Sequence, residues 1–102
     1  MREIDIEELE SALADGATLV DVREPQEYAA FHVPGAVLVP MAQLGSRADE
    51  LDKERPVYLI CHSGHRSGVI AELLGERGFD AVNVLGGTAA WVRSGRPYDQ
   101  GL

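Results

Sequence analysis

Short apolar runs alternate along the chain with segments in which apolar residues recur at helical spacing. The runs ATLVDV, VYLI and AVNVL have the length and the β-branched content of strands, and shorter strands are expected at Ile4 and Val37–Val39. Runs that are apolar at nearly every position are typical of strands covered on both faces. The alternation therefore predicts one α/β domain with a mostly parallel central sheet and helices on both faces.

The first two helices are predicted from capping residues as well as from periodicity. Asp5 can cap a helix in which Ile6, Leu9 and Leu13 recur at helical spacing. Pro25 suits the first turn of a second, short helix, because its fixed φ angle matches a helix and its missing N–H is not needed there.

The later helices are expected to be bounded by glycines. A helix after the third strand is expected to be interrupted or to end near Gly45, and Gly78 is placed to stop the next helix. That next helix is expected to bury one face, made of Val69, Ile70, Leu73 and Leu74. Gly86 and Gly87 introduce a final helix, in which Trp91 is expected to anchor the core.

The size and charge of the chain restrict its class and its partners. With 102 residues, of which 45% are apolar and 25% charged, the chain is expected to be a single globular domain spanning 1–102. A formal net charge of −8 disfavours nucleic acid and anionic membrane surfaces as partners. The first 20 residues are acidic and interrupted by polar side chains, so no signal peptide or membrane span is expected there, and the expected location is cytoplasmic.

The single cysteine, Cys61, restricts the thiol chemistry of the chain. One cysteine excludes an intrachain disulfide and metal sites built on several thiolates. A lone cysteine at the end of an apolar strand is often a small core residue. His62 and His65 beside it raise the alternative of a zinc site, but a tight loop gives poor tetrahedral geometry, so we expect no metal.

The loop that begins at Cys61 favours an anionic sulfur. Cys61 directly follows a strand and precedes a helix, and ligands bind at this edge of an open parallel sheet. Free N–H groups and the positive end of the helix dipole stabilise a thiolate or a bound anion there. His62, His65 and Arg66 can add positive charge, and Gly64 lets the backbone curl around a small ligand. The sequence therefore predicts a nucleophilic cysteine in a local anion site.

Three segments resemble the rhodanese family. CHSGHRS resembles the active-site loop of that family, in which a cysteine is followed by four residues, an arginine and often a serine. LVDVREPQEYAAFHVPGAVLVP is similar to the early motif of the family, and VNVLGGTAAW to its late motif, so the resemblance spans about residues 4–98. Phe31 stands where relatives often have glycine, and we expect this difference to alter a surface turn near the site and to leave the chemistry unchanged.

The resemblance implies sulfur transfer through a covalent persulfide on Cys61, the catalytic residue, without a metal or an organic cofactor. Cys61 would take the outer sulfur of a small anionic donor such as thiosulfate and pass it to cyanide, a thiol or a protein cysteine. Arg66, with a protonated histidine, is expected to hold the sulfonate end of the donor. The N–H groups expected to surround the persulfide and bind substrate belong to His62, Ser63, Gly64, His65, Arg66 and Ser67.

Two other functions use the same features. A persulfide carrier or regulatory rhodanese-like module would hand sulfur to, or sense oxidation through, one protein partner. A phosphatase or arsenate reductase would use the same fold with a loop one residue longer than the four residues between Cys61 and Arg66. Asp21 and Arg23, at the end of the second strand, are expected to form a structural ion pair that braces the loops around any of these sites.

Overall fold

The computed structural model describes residues 2–102 as alternating strands and helices. The strands are β1 (Arg2–Ile4), β2 (Thr18–Asp21), β3 (Val37–Leu38), β4 (Val57–Ile60) and β5 (Ala81–Val84). The helices are α1 (Ile6–Ala14), α2 (Pro25–Ala30), α3 (Met41–Arg47), α4 (His65–Glu76) and α5 (Gly87–Arg93), with a short 3-10 helix at Ala48–Glu50. Within the described residues, no helix is long and apolar enough to cross a membrane.

The strands form one sheet in the order β1-β5-β4-β2-β3, and every neighbouring pair is parallel. β4 lies in the middle and pairs with β2 through Asp21 opposite Ile60, and with β5 through Leu59 opposite Asn83. The carboxyl ends of these three strands therefore lie side by side. The polar loops that follow them converge at this edge, which is where ligands bind in open parallel sheets.

Side chains of the inner strands alternate between two apolar layers, one on each face of the sheet. On β4, Val57 and Leu59 pack into one layer and Ile60 into the other. The first layer is closed by helices α3 and α4, and the second by α1, α2 and α5. Both faces of the sheet are thus covered, as the apolar runs of the sequence predict, and the α/β fold class is confirmed.

The predicted start of the first helix and the role of the tryptophan are confirmed. Asp5 caps α1, accepting a hydrogen bond from the Glu8 N–H at 2.8 Å, and the Glu8 carboxylate accepts one from the Asp5 N–H at 3.1 Å. Ile6 and Leu9 are buried beneath this helix. Trp91 is buried in the second apolar layer.

The helix after β3 ends near Gly45, as predicted, but Gly45 itself does not interrupt it. Helix α3 continues through Gly45 to Arg47, and Leu44 holds it to the sheet with an exposure of 2%. One interior glycine costs only about 1 kcal/mol relative to alanine. Burial of a leucine side chain contributes about 1.5–3 kcal/mol, so it outweighs that cost.

The predicted buried face of the helix after β4 is half wrong. Ile70 and Leu74 are buried, but Val69 and Leu73 are 41% and 52% exposed. The buried face is completed instead by the small side chains Ser67 and Ala71. Small residues at these positions let α4 approach the sheet closely, a signal that a count of large apolar residues overlooks. The predicted end of the helix is confirmed: α4 ends at Glu76, two residues before Gly78 with its φ of +91°.

Candidate active site

Cys61 lies directly after β4, in the turn that enters α4, and is 1% exposed. Gly64 is the N-cap of α4 with a φ of +102°, and its N–H donates a hydrogen bond to Cys61 Sγ at 3.1 Å. The Ser67 hydroxyl lies 3.3 Å from the same sulfur. A Cβ at Gly64 would lie 3.3 Å from the Val84 carbonyl oxygen, so glycine suits this turn both by its conformation and by its size.

These donors favour the thiolate form of Cys61. Burial on its own would raise the pKa of the Cys61 thiol, but hydrogen bonds outweigh burial and lower that pKa below its ordinary value. The hydroxyl of Ser67 contributes first among them, followed by the backbone N–H groups of Ser67, Gly64 and Ser63. The loop thus stabilises negative charge on sulfur by dipoles rather than by a cation in contact with it.

The loop is held from behind by the first turn of α5. The Thr88 N–H and hydroxyl donate to the Cys61 carbonyl oxygen at 2.9 and 3.1 Å, and the Ala89 N–H donates to the His62 carbonyl oxygen at 3.0 Å. Gly87, with a φ of +59°, packs so closely that a Cβ there would overlap the Cys61 carbonyl oxygen. Because its carbonyl groups are fixed, the loop presents its N–H groups to the sulfur without having to reorganise.

A buried polar chain runs from the sulfur to the edge of the sheet. The Ser67 hydroxyl lies 2.6 Å from Asn83 Oδ1 as well as 3.3 Å from Cys61 Sγ. Asn83 Nδ2 donates to the Glu3 carboxylate and to the Gly64 carbonyl oxygen, both at 3.1 Å. Ser67 and Asn83 are buried, at 0% and 2% exposure.

Arg66 forms an ion pair with Glu27 of α2. Its two terminal nitrogens each donate to one Glu27 oxygen at 2.8 Å, and the two side chains are 36% and 31% exposed. Hydrogen bonding from Arg66, only partly opposed by burial, lowers the pKa of Glu27 to about 2. The same hydrogen bond raises the pKa of Arg66. That Arg66 binds the sulfonate end of a donor stays a prediction. It requires Arg66 to exchange the Glu27 carboxylate for the sulfonate.

The remaining loop side chains form the rim of the site. His62, Ser63 and His65 are exposed, so their side chains face solvent. Phe31 is partly buried beside this rim, with its ring centroid 6.5 Å from that of His62 and 6.0 Å from that of Tyr98. Its predicted position near the site is confirmed. That Phe31 leaves the chemistry of the site unchanged stays a prediction. Among the described residues, no three His, Cys, Asp or Glu side chains are grouped to hold a metal ion.

The predicted ion pair of Asp21 and Arg23 is confirmed. Arg23 Nε and Nη2 lie 2.9 and 2.8 Å from the two Asp21 oxygens, and the side chains are 1% and 0% exposed. Arg23 also donates to the Phe31 carbonyl oxygen at 2.8 Å. The pair therefore connects the end of β2 to the end of α2, the helix that carries Glu27.

Sequence reasoning missed four residues that shape the site: Glu27, Asn83, Gly87 and Thr88. The Gly86–Gly87 pair at the end of a predicted strand was an available signal, because a sheet edge that needs two adjacent glycines has another backbone close to it. Asn83 was also visible as the single polar residue within AVNV, since a polar side chain inside a buried strand requires a partner.

Comparison with known proteins agrees with this geometry. The family described as "Rhodanese-like domain" matches residues 5–94. A sulfurtransferase of Allochromatium vinosum is 40% identical over 95% of this chain and 94% of its own length, and the thiosulfate sulfurtransferase GlpE of Actinobacillus pleuropneumoniae is 42% identical over 83% and 80%. The putative sulfur carrier protein YrkF of Bacillus subtilis is 39% identical over 76% of this chain, but the match spans only 43% of that protein.

A solved structure shows the same fold. The rhodanese-related protein of Thermoplasma volcanium superposes with a TM-score of 0.91 at 28% identity, over 97% of this chain and 98% of that one. The family match covers most of the chain and includes the cysteine loop. The chain therefore belongs to the rhodanese-like sulfurtransferase family.

Proposed function

We propose that this protein transfers sulfane sulfur from thiosulfate or a related donor to a thiophilic acceptor through a persulfide on Cys61. The observation that carries the proposal is the set of donors around the sulfur: the Gly64 N–H at 3.1 Å and the Ser67 hydroxyl at 3.3 Å from Cys61 Sγ. These groups lower the pKa of the Cys61 thiol despite its burial. A thiolate with fixed donors is the form that attacks sulfur.

The proposed reaction has two balanced steps. In the first, the Cys61 thiolate attacks the outer sulfur of thiosulfate, an S–S bond forms at Cys61, and the bond to the sulfonate sulfur breaks with its electron pair leaving on sulfite. In the second, an acceptor thiolate or cyanide attacks the terminal sulfur, and the electron pair returns to Cys61. Neither step needs a redox partner, which supports a mechanism without a metal or an organic cofactor.

Arg66 is proposed to bind the sulfonate end of the donor. A planar guanidinium matches the oxygens of a sulfonate as it matches those of a carboxylate. The present partner of Arg66, Glu27, occupies the same fork with two hydrogen bonds of 2.8 Å. The pair is about one third exposed, so an entering anion displaces a contact that is worth at most about 1 kcal/mol.

A second candidate function is that of a persulfide carrier serving one protein partner. The observation that favours it is the 1% exposure of Cys61, which restricts direct access to the sulfur. The likeness to a protein named as a putative sulfur carrier also supports it. The two functions share the persulfide and differ in turnover with small donors and acceptors. The proposed chemistry suits a reducing cytoplasm, where a lone thiol stays reduced.

The testing experiment is intact-mass measurement of the protein after incubation with thiosulfate, followed by cyanide. We expect a gain of about 32 Da for one sulfur, its loss on addition of cyanide, and catalytic release of thiocyanate. Cys61→Ser is the matched control and is expected to show neither adduct nor product.

Each result of this experiment has a defined meaning. An adduct that forms without repeated turnover would overturn the enzyme proposal in favour of the carrier. No adduct with thiosulfate or with organic thiosulfonates would overturn both. Hydrolysis of aryl phosphates through Cys61 that is faster than sulfur transfer would show that a loop with four residues between Cys61 and Arg66 accommodates phosphoryl chemistry, and would overturn the loop-length argument.

A further inference from the structure

Asn83 is a buried polar residue on an otherwise apolar strand, and the proposed reaction does not use it directly. It is 2% exposed, and its neighbours on β5, Val82 and Val84, are both fully buried. Its side chain lies between α4 and β1 and contacts three polar groups. A buried amide lowers stability unless its donors and acceptor are hydrogen-bonded. The hydrogen-bond partners of Asn83 therefore indicate its role.

The orientation of the Asn83 amide is determined by acceptors. The Glu3 carboxylate and the Gly64 carbonyl oxygen can only accept hydrogen bonds, and both lie 3.1 Å from the same terminal atom of the Asn83 amide. That end is therefore the NH2 group. The other end, Oδ1, then faces the Ser67 hydroxyl at 2.6 Å and can only accept its hydrogen.

The Ser67 hydroxyl has one hydrogen and two acceptors. It can donate to Asn83 Oδ1 at 2.6 Å or to the Cys61 thiolate at 3.3 Å, but not to both with good geometry. When the cysteine is a thiol, its own S–H can donate to the Ser67 oxygen, and Ser67 can then donate to Asn83. When the cysteine is a thiolate, the hydroxyl can turn towards sulfur only by leaving Oδ1 without a donor.

We propose that Asn83 is a positioning residue that competes with the Cys61 thiolate for the hydroxyl hydrogen of Ser67. The hydroxyl keeps its proton throughout and changes only the acceptor to which it donates. Negative charge moves from Sγ to the terminal sulfur when the persulfide forms, so Ser67 returns to Asn83 at that step. This catalytic meaning rests on the proposed function, whereas the competition itself exists in the resting protein.

Titratable and charged groups on the surrounding elements set a background that the competition modifies. From the loop and α4 these are His62, His65 and Arg66; from α2, Glu27; from β2, the Asp21 and Arg23 pair; and from β1, Glu3. A charge on any of them acts on the thiolate at a distance, whereas Asn83 is neutral. Asn83 contacts both Ser67 and the Gly64 carbonyl oxygen, so the Ser67→Ala background tests whether its effect passes through the Ser67 hydroxyl.

The experiment is the pH dependence of Cys61 alkylation by iodoacetamide in the full chain, for four proteins. These are the unmodified protein, Asn83→Leu, Ser67→Ala and the double variant. Leucine has the same number of side-chain heavy atoms as asparagine and the same branching at Cγ, and the Gly64 carbonyl oxygen keeps the Gly68 N–H at 3.2 Å as a donor. We expect Asn83→Leu to lower the measured pKa of Cys61 by about 0.5 to 1, because one hydrogen bond becomes fully available to the thiolate. Ser67→Ala is expected to raise it.

The double variant distinguishes competition from a merely structural role. Without the Ser67 hydroxyl there is nothing to compete for, so the double variant is expected to have the same measured pKa as Ser67→Ala. An equal downward shift in both backgrounds, or no shift from Asn83→Leu in either, would overturn the proposal. Since alkylation needs no sulfur donor, these results stand even if sulfur transfer itself is not observed.

A second pair of variants keeps the test decisive if Asn83→Leu does not fold. Glu3→Ala removes one of the two acceptors that orient the amide, from an exposed position on the edge strand. Glu7→Ala removes the same charge from the exposed face of α1 and serves as its control. We expect Glu3→Ala to lower the measured pKa of Cys61 more than Glu7→Ala does, and to lose that excess in the Ser67→Ala background. Equal shifts from the two glutamates, or an excess that persists in the Ser67→Ala background and so reflects the charge of Glu3 alone, would contradict the role of Asn83.

Discussion

Two arginine–carboxylate pairs lie near the Cys61 loop and differ in burial. Asp21 and Arg23 are essentially inaccessible, at 0% and 1% exposure, whereas Glu27 and Arg66 are about one third exposed. In each pair two guanidinium nitrogens contact the carboxylate at 2.8–2.9 Å: Nε and Nη2 of Arg23, and Nη1 and Nη2 of Arg66. Similar bond lengths therefore do not imply similar roles.

The difference shows how the same chemistry serves as scaffold in one place and as an exchangeable contact in another. A charge removed from water depends on its partner, so Asp21 and Arg23 cannot separate without a large cost. A pair in contact with solvent is held weakly, because water and a competing anion can replace either partner. On this basis the buried pair braces the site, and the exposed pair is free to take part in donor binding.

The largest expected effect follows from breaking the buried pair. Asp21→Ala leaves the Arg23 guanidinium buried without its carboxylate, and we expect a loss of about 3–5 kcal/mol in the free energy of unfolding. Urea denaturation monitored by Trp91 fluorescence measures this loss. Replacing both residues together, as Asp21→Val with Arg23→Met, is expected to cost less than Asp21→Ala alone. If the free energy of unfolding of Asp21→Ala lay within about 1 kcal/mol of that of the unmodified protein, the buried pair would be no stronger than the exposed one.

A smaller effect, on catalysis and not on stability, is expected at the exposed pair. Arg66→Ala removes the proposed charge-assisted contact to the donor, and we expect kcat/KM for thiosulfate to fall by about 10- to 100-fold. Arg66→Lys should lie between, because lysine keeps the charge and loses the planar fork. The free energy of unfolding is expected to change by less than about 1 kcal/mol in both variants.

Glu27→Gln provides the matched control for that prediction. It frees Arg66 from its carboxylate, so we expect kcat/KM for thiosulfate to rise by about two- to fivefold. Glu72→Gln, an exposed glutamate on α4, changes the net charge equally and should leave this constant unchanged. Unchanged activity in all the Arg66 and Glu27 variants would remove the exposed pair from the site.

The smallest expected effect is the acid dependence of the same pair. The pKa of Glu27 falls from an ordinary 4.5 to about 2 in the folded protein, so its contribution to stability is full above about pH 4.5 and is lost as the pH falls through 2. The destabilisation caused by Glu27→Gln should accordingly be measurable at pH 7 and vanish near pH 2. Partial exposure keeps it below about 1 kcal/mol. A difference that persisted at pH 2 would show that packing, not charge, explains the loss.

The sequence was sufficient for features that depend on local chemistry. Nearby residues predict the alternation of strands and helices, the Asp5 cap and the position of Cys61 at a strand end. They do not predict the order of the strands in the sheet. The Asp21 and Arg23 pair was predictable because the two side chains are only two positions apart. Local signals therefore determine most of the fold class and the identity of the proposed nucleophile.

Features that depend on distant residues were not predictable. Arg66 meets Glu27 across 39 positions and Asn83 meets Glu3 across 80, and no periodicity connects such positions. The burial of α4 was misjudged for a related reason, since Ser67 and Ala71 face the sheet because of how closely the helix packs. Small residues gain their importance only from what the fold brings next to them.

The pairing of β1 has a consequence for synthesis on the ribosome. β1 begins the described chain, yet its neighbour in the sheet is β5, with Arg2 opposite Val82 and Ile4 opposite Val84. Contacts so distant in sequence form late, because a long loop must close before they can stabilise anything. Thr88 and Ala89 hold the cysteine loop from 27 positions further along the chain than Cys61 and His62. A nascent chain thus exposes its thiol while the groups that will hold the loop are still untranslated, and the loop becomes rigid only after Thr88 and Ala89 have been synthesised.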